Sequence, residues 1–166
     1  MKFFILPIVL CTIVLITACE QQPCANVDRA AELNAIEDLL ESYIIANENQ
    51  DFELIEKIWA PNSDIILYGT NTDERLMGWT NIRAAVRAQF SAIENTYISA
   101  SDQFIKINEC GNTGWFAETL NYNFVHKGEA QSYSNLRFTG VVLKIDDNWR
   151  FVQAHLSLPG NVAIDK

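Results

Sequence analysis

The chain has 166 residues, with 12 Lys and Arg against 21 Asp and Glu, a net charge of −9. Apolar residues make up 49% and charged residues 20%, a balance that excludes a largely disordered chain and, at this length, suggests one domain. The acidic excess, with no Lys/Arg stripe to displace counterions, excludes phosphate-backbone binding, so no nucleic-acid partner is expected.

Residues 1–18 stand apart from the fold. Lys2 is their only charge, and Phe3 to Ile16 is an apolar run broken by Pro7 and Thr12. A short positive start, an apolar run and small residues at its end make a secretory signal. The run is shorter than the roughly 20 apolar residues of a spanning helix. Leu15-Ile16-Thr17-Ala18-Cys19 resembles a bacterial lipobox. That resemblance implies cleavage before Cys19 and lipid on its sulfur and amine; the alternative is ordinary cleavage near Ala18. Several acyl chains, at about 0.8 kcal/mol per buried methylene, anchor a protein firmly. Glu20, standing where Asp would retain the protein at the inner membrane, is similar to the pattern of outer-membrane lipoproteins facing the periplasm. Residues 19–28 read as a polar tether. Cys11 leaves with the signal and Cys19 takes the lipid. Cys24 and Cys110 remain, and in an oxidising compartment they either pair or stay separate thiols.

Asp28 can cap a helix carrying Leu33, Ile36, Leu39, Leu40, Tyr43 and Ile44 at helical spacing. Asp51 can cap a second, with Phe52, Ile55, Ile58 and Trp59, stopped by Pro61. Ile65 to Tyr68 reads as a short strand and Gly69 to Arg75 as a polar loop. Thr80 can cap a third helix with Ile82, Ala85, Val86, Phe90 and Ile93 on one face. From Thr96 the period becomes two. Strands are expected at Thr96–Glu109, Trp115–Val125, Gln131–Ile145 and Trp149–Leu158, separated by turn compositions. Helices followed by antiparallel strands make an α+β fold over residues 29–160, with a tail at 161–166. No repeat or second domain is visible.

A three-residue loop at Asp146–Asn148 sets Ile145 opposite Trp149, Leu143 opposite Phe151, Val141 opposite Gln153, Thr139 opposite His155 and Arg137 opposite Ser157, all on one face. The other face, from Leu136 to Val142 and Val152 to Leu158, is also apolar. A sheet apolar on both sides needs two covers. The helices supply one, and a second copy of the chain most simply supplies the other, so a homodimer is expected.

Arg137-Phe138-Thr139-Gly140-Val141-Val142 and Trp149-Arg150-Phe151-Val152-Gln153-Ala154-His155-Leu156-Ser157 resemble the terminal hairpin of small SnoaL-like proteins of the NTF2-like superfamily. Gly69-Thr70-Asn71-Thr72-Asp73-Glu74 with Gly78, and Gly114-Trp115-Phe116, are similar to other parts of that pattern. The aromatic pair usual after the loop's Glu is Arg75-Leu76 here. The resemblance spans about Glu32 to Pro159. It implies an NTF2-like cone, three N-terminal helices packed on a curved, mostly antiparallel sheet with a pocket at the open end. Its members include isomerases, cyclases, dehydratases and proteins without chemistry, so it transfers fold and not reaction.

Within that cone His155 reads as an acid or base near neutrality, or as a buried histidine holding the sheet's shape. Arg137 reads as a carboxylate or enolate binder, or as a partner of Glu118 or Asp73. Thr139, Gln153 and Ser157 complete the polar end. Glu118 shares a strand face with Phe116, Leu120 and Tyr122. Asp73 and Glu74 stand at the expected mouth, where loop capping is their alternative role. Tyr43, Trp59, Tyr68, Trp79, Trp115 and Tyr122 either wall a ligand or fill the core, with Trp79 expected to face the ligand. His126 falls at a turn and reads as solvated. Neither metal-ligand spacing nor a phosphate loop nor G-x-S-x-G is present, so no metal and no cofactor is expected. The leading expectation is a membrane-anchored domain that binds a small, partly apolar molecule in its cone. The alternatives are a proton-transfer enzyme using His155 or a carboxylate with Arg137, and an interaction module without a ligand.

Overall fold

A computed structural model describes residues 26–160. The signal segment, Cys19, Cys24 and the tail lie outside the described residues. Asp28 accepts a hydrogen bond from the Ala31 amide at 3.1 Å and caps α1 (Arg29–Glu48). Asp51 caps α2 (Phe52–Ile58) through the Leu54 amide at 2.9 Å. Both helices start where a carboxylate can satisfy a first-turn donor. Ile36, Leu39, Leu40 and Tyr43 of α1 are buried, which is the stripe their spacing predicts.

The third helix starts earlier than Thr80. Gly78, at φ 78°, is the N-cap of α3 (Trp79–Ala92). The amides of Gly78 and Trp79 donate to the carbonyls of Ile65 and Asn62 at 2.8 and 2.9 Å. Backbone bonds to the preceding loop, not a hydroxyl, fix this start. That loop also hides a strand. β1 (Ile66–Tyr68) and β2 (Arg75–Met77) pair antiparallel. At three residues each they are too short to show a period.

The remaining strands are β3 (Ile93–Ile107), β4 (Thr113–His126), β5 (Glu129–Ile145) and β6 (Asn148–Ser157). One sheet runs β2-β1-β6-β5-β4-β3, antiparallel except where β1 meets β6. The chain is therefore the expected α+β cone, with α1 lying against β3, β6 and α2. Register shifts bend the long strands. On β3 they flank Asn95 and Asp102, and on β5 one falls at Asn135, all three at φ 53–55°. Cys110, in the β3–β4 turn, is disulfide-bonded. Arg29 donates to the carbonyls of Ile107 and Asn108 at 3.1 Å each, binding the start of α1 to the same turn.

The last hairpin departs from expectation. Its turn has two residues, Asp146 and Asp147, at φ 48° and 59°, the left-handed pair that matches strand twist. Ile145 therefore faces Asn148 and Lys144 faces Trp149. A bulge between Val141 and Val142 restores the expected pairs beyond it: Val141 with Gln153, Thr139 with His155, Arg137 with Ser157. The consequence is an inversion of faces. Leu136, Phe138, Gly140 and Val142, with Trp149, Phe151 and Ala154, face the helices and are buried. Arg137 and His155 face outward and are exposed.

Phe151 lies at the centre of the buried face. Its ring centroid is 5.4 Å from that of Trp59, 5.6 Å from Phe116, and 5.9 Å from both Phe138 and Tyr43. Tyr43 stacks on Phe138 at 4.6 Å. Gly140 makes the room, since a Cβ there would come within 2.6 Å of the Phe116 ring.

At the hairpin tip Glu32 accepts from Lys144 Nζ at 2.6 Å and from Trp149 Nε1 at 2.8 Å. The Lys144 bond holds the Glu32 carboxyl below the usual carboxylate range, burial opposes this, and the Trp149 bond adds to it. A lowered folded pKa stabilises the fold above the unfolded value and is lost as pH falls through the folded one. Glu32→Ala should therefore cost about 2 kcal/mol in urea denaturation at neutral pH. The gap from the parent should close as pH drops below the ordinary carboxylate range; a cost that persists undiminished in acid would show that lost packing, not charge, carries it.

Candidate functional site

A cavity of about 640 Å³ opens between α3, the last turn of α1, the β1–β2 loop and the ends of β4 and β5. Two features of the chain build it. On β4 the strict alternation Tyr122, Phe124, His126 keeps these side chains on the helix side. On β5 the shift at Asn135 turns Gln131 and Tyr133 inward beside Leu136. Tyr43 and Asn47, one helical turn apart on α1, form the back. Ala85, Ala88, Gln89 and Ala92 of α3 form one wall.

The polar groups form a short relay. Gln89 Nε2 donates to Tyr122 Oη at 2.9 Å, Tyr122 Oη donates to Asn47 Oδ1 at 3.3 Å, and Asn47 Nδ2 donates to the Tyr43 carbonyl at 2.8 Å. Asn47 is 3% exposed, so its amide is committed to this role. The Tyr43 hydroxyl makes no hydrogen bond among the described residues. Burial pushes the Tyr43 phenol far above its ordinary range, with Tyr122 and Glu118 adding to the shift. Burial likewise raises Tyr122, against the Gln89 bond. Both phenols keep their protons at any physiological pH.

The polar residues of the last hairpin singled out in the sequence do not line this cavity. His155, Arg137, Thr139, Gln153 and Ser157 share the outer face of the sheet. So does Tyr68, whose ring meets His155 edge-on at 5.8 Å and whose hydroxyl accepts from Arg75 at 3.3 Å. The hairpin bulge and the shortened turn are the physical reason. Asp73 is exposed on the β1–β2 loop. Its neighbour Glu74 reaches the cavity mouth, with its oxygens accepting from the Asn71 amide at 3.0 Å and Asn71 Nδ2 at 2.8 Å. Trp79 borders a separate groove with Pro61 and Met77, and Trp115 is on the outer face. Tyr43, Trp59 and Tyr122 do line the cavity. His126, expected in solvent, is half-buried at its rim. The signal that could have found it is the even-numbered face of β4, read on past Tyr122. Asn47, at helical spacing after Tyr43, carries the same kind of signal; Tyr133 carries none.

Glu118 points inward, 3% exposed, but behind the cavity wall. Gln103 Nε2 donates to one oxygen at 2.9 Å, and the other has no partner. Burial pushes its carboxyl up, against the Gln103 bond. Arg137, exposed on the opposite face, is not its partner. Among the described residues no cluster of His, Cys, Asp and Glu could hold a metal ion.

A raised folded pKa means that stability present below the unfolded value is lost as pH rises through the folded one. Glu118→Gln, which keeps shape and cannot ionise, should therefore melt higher than the parent at neutral pH. In melts from acid to neutral pH the difference should grow from near zero; equal melting points throughout would show that the carboxyl titrates in the fold as it does in the unfolded chain.

Three solved structures of the same fold are similar. An NTF2-like superfamily protein of Salmonella enterica gives a TM-score of 0.72 at 16% identity, covering 81% of this chain and 96% of its own. A candidate dehydratase of the NTF2-like family from Streptomyces avermitilis gives 0.71 at 15%, covering 78% and 98%. A candidate scytalone dehydratase from Novosphingobium aromaticivorans gives 0.70 at 13%, covering 82% and 91%. No curated protein matches. Residues 36–161 match the SnoaL-like domain family, and with the cone and its cavity in view the chain belongs to that family, on the NTF2-like fold.

Proposed function

We propose that this chain is a lipid-anchored domain of the bacterial envelope that binds a small, partly apolar molecule in its cone. The observation that carries the reading is the cavity: aliphatic and aromatic walls around one ordered polar strip, Gln89, Tyr122 and Asn47, with the Tyr43 hydroxyl beside it. Small-molecule sites have this make-up. The anchor is supported by Leu15 to Cys19 and the polar tether after it. A proton-transfer reading has one observation in its favour, the buried Glu118 carboxyl whose charge is felt at Tyr43. In that reading Glu118, not the outward-facing His155 and Arg137, is the group near the cavity.

The outer face supports the homodimer proposal. Phe104, Trp115, Met77 and Tyr68 are 50, 44, 42 and 40% exposed there, more large apolar surface than a lone sheet face carries without a partner. Sedimentation at tens of micromolar should give twice the protomer mass for the mature chain and a protomer for Trp115→Glu; a monomeric parent would end this proposal.

For the pocket, Ala88→Trp fills the mouth from an exposed position on α3, where the added ring leaves the core intact. A thermal-shift screen of uncharged ring compounds should find ligands that stabilise the parent by about 2.7 kcal/mol at 100 times Kd. The same compounds should leave Ala88→Trp unmoved. Equal shifts in both proteins, or a screen without hits, would count against the cavity as the site.

A further inference from the structure

We propose that a disulfide between Cys24 and Cys110 clamps the tether to the β3–β4 turn and keeps the mouth of the cone turned from the membrane, so that the cavity is filled from the aqueous phase and not from the bilayer. The inference rests on the anchor at Cys19 proposed above and adds which way the anchored domain faces.

The chain enters the fold at one pole. Val27 packs against the core, and a Cβ at Gly111 would come within 2.5 Å of its side chain. Arg29 donates to the carbonyls of Ile107 and Asn108 at 3.1 Å each. Cys110, between those contacts in the same turn, is disulfide-bonded. The sequence holds four cysteines. With Cys11 removed and Cys19 lipidated, the partner is Cys24, three residues before Val27. Three residues span at most about 11 Å, and a disulfide needs its Cα atoms within about 7 Å of each other. A chain held at Gly111 by Val27 therefore keeps Cys24 in reach of Cys110. In forming the bond the two thiols give up two protons and two electrons, which pass by thiol–disulfide exchange to a disulfide-bearing oxidant of the envelope.

The cavity lies at the other pole. α1 starts beside the turn and runs for 20 residues, about 30 Å of helix. Its far end supplies Tyr43 and Asn47 to the cavity. β4 leaves the same turn at Thr113 and reaches the cavity with Tyr122, Phe124 and His126. For the mouth to meet the bilayer, the lipid would have to reach back along the whole of α1. Cys19 to Val27 is eight residues, about 28 Å when extended, which nearly matches that length. Cys19 to Cys24 is five residues, about 18 Å, which falls well short of it. The clamp removes the orientation with the mouth down and leaves those in which the β3–β4 turn is nearer the lipid.

The test uses the lipidated chain purified from membranes and placed in vesicles of phosphatidylethanolamine and phosphatidylglycerol. Peptide mapping without reductant should recover Cys24 joined to Cys110; Cys110 joined to Cys19 would overturn this inference and the anchor with it. Flotation separates the two readings, because a chain that does not rise with the vesicles ends the anchor reading and this inference together. In the floating chain, p-azidophenylalanine replaces Glu109 in the β3–β4 turn or Glu129 at the start of β5, both exposed. Each carries a donor dye, with the acceptor on the lipid headgroups. Energy transfer should be at least about threefold more efficient from position 109 than from 129, since roughly the length of α1 separates them. The paired substitutions Cys24→Ser and Cys110→Ser should narrow that gap, with a thermal melt to show that the variant is folded. Equal transfer from both positions in the parent, or more from 129, overturns the orientation while the anchor stands. A gap that the folded double variant keeps in full overturns the clamp as its cause.

Discussion

The fold depends on one contact, the Phe151 ring set among Trp59, Phe116, Phe138 and Tyr43. It joins α1, the end of α2 and three strands through side chains that each bury a large apolar area. Placing Phe151 there takes an extra residue in β6, because strict alternation from the Thr139–His155 pair would send it outward. It also takes a glycine at 140, whose missing side chain lets the Phe116 ring close over the sheet.

The same device makes the cavity. Where the strands run on past the aromatic cluster, shifts at Asn95, Asp102 and Asn135 bend the sheet away from the helices. The sheet and α3 part, and the gap between them is the hollow. Its polar groups come from elements that the cluster already holds in place: Asn47 one turn beyond Tyr43, and Tyr122 on the same face of β4 as Phe116. A binding site whose walls are core side chains keeps its shape without a ligand, which lowers the ordering cost of binding.

Charge is distributed to match. The described cations lie on the outer sheet face, on the helix surfaces or at the hairpin tip, where Lys144 and Trp149 fix Glu32. Among the described residues the charged side chain that is buried is Glu118. A carboxyl 3% exposed with one unpartnered oxygen destabilises the fold it sits in. Burial costs of this kind concentrate near functional sites, and this one lies next to the wall that carries Tyr43.

The helix caps at Asp28 and Asp51, the buried stripe of α1, the four long strands in their order and the α+β class were legible in the sequence, because each is set by local spacing and by residues within a few positions of one another. Three of the cavity's five Phe, Trp and Tyr residues, Tyr43, Trp59 and Tyr122, were legible for the same reason. The polar site placed around Arg137 and His155 was not. The expected pairs held at the far end of the last hairpin, from Val141 with Gln153 to Arg137 with Ser157, and failed near its turn, where Trp149 and Phe151 lie on the opposite face from His155. Only the tertiary structure decided which face turns inward, because a single inserted residue inverts every side chain beyond it, and where that residue goes is chosen by the packing of Phe151 against helices more than ninety positions away.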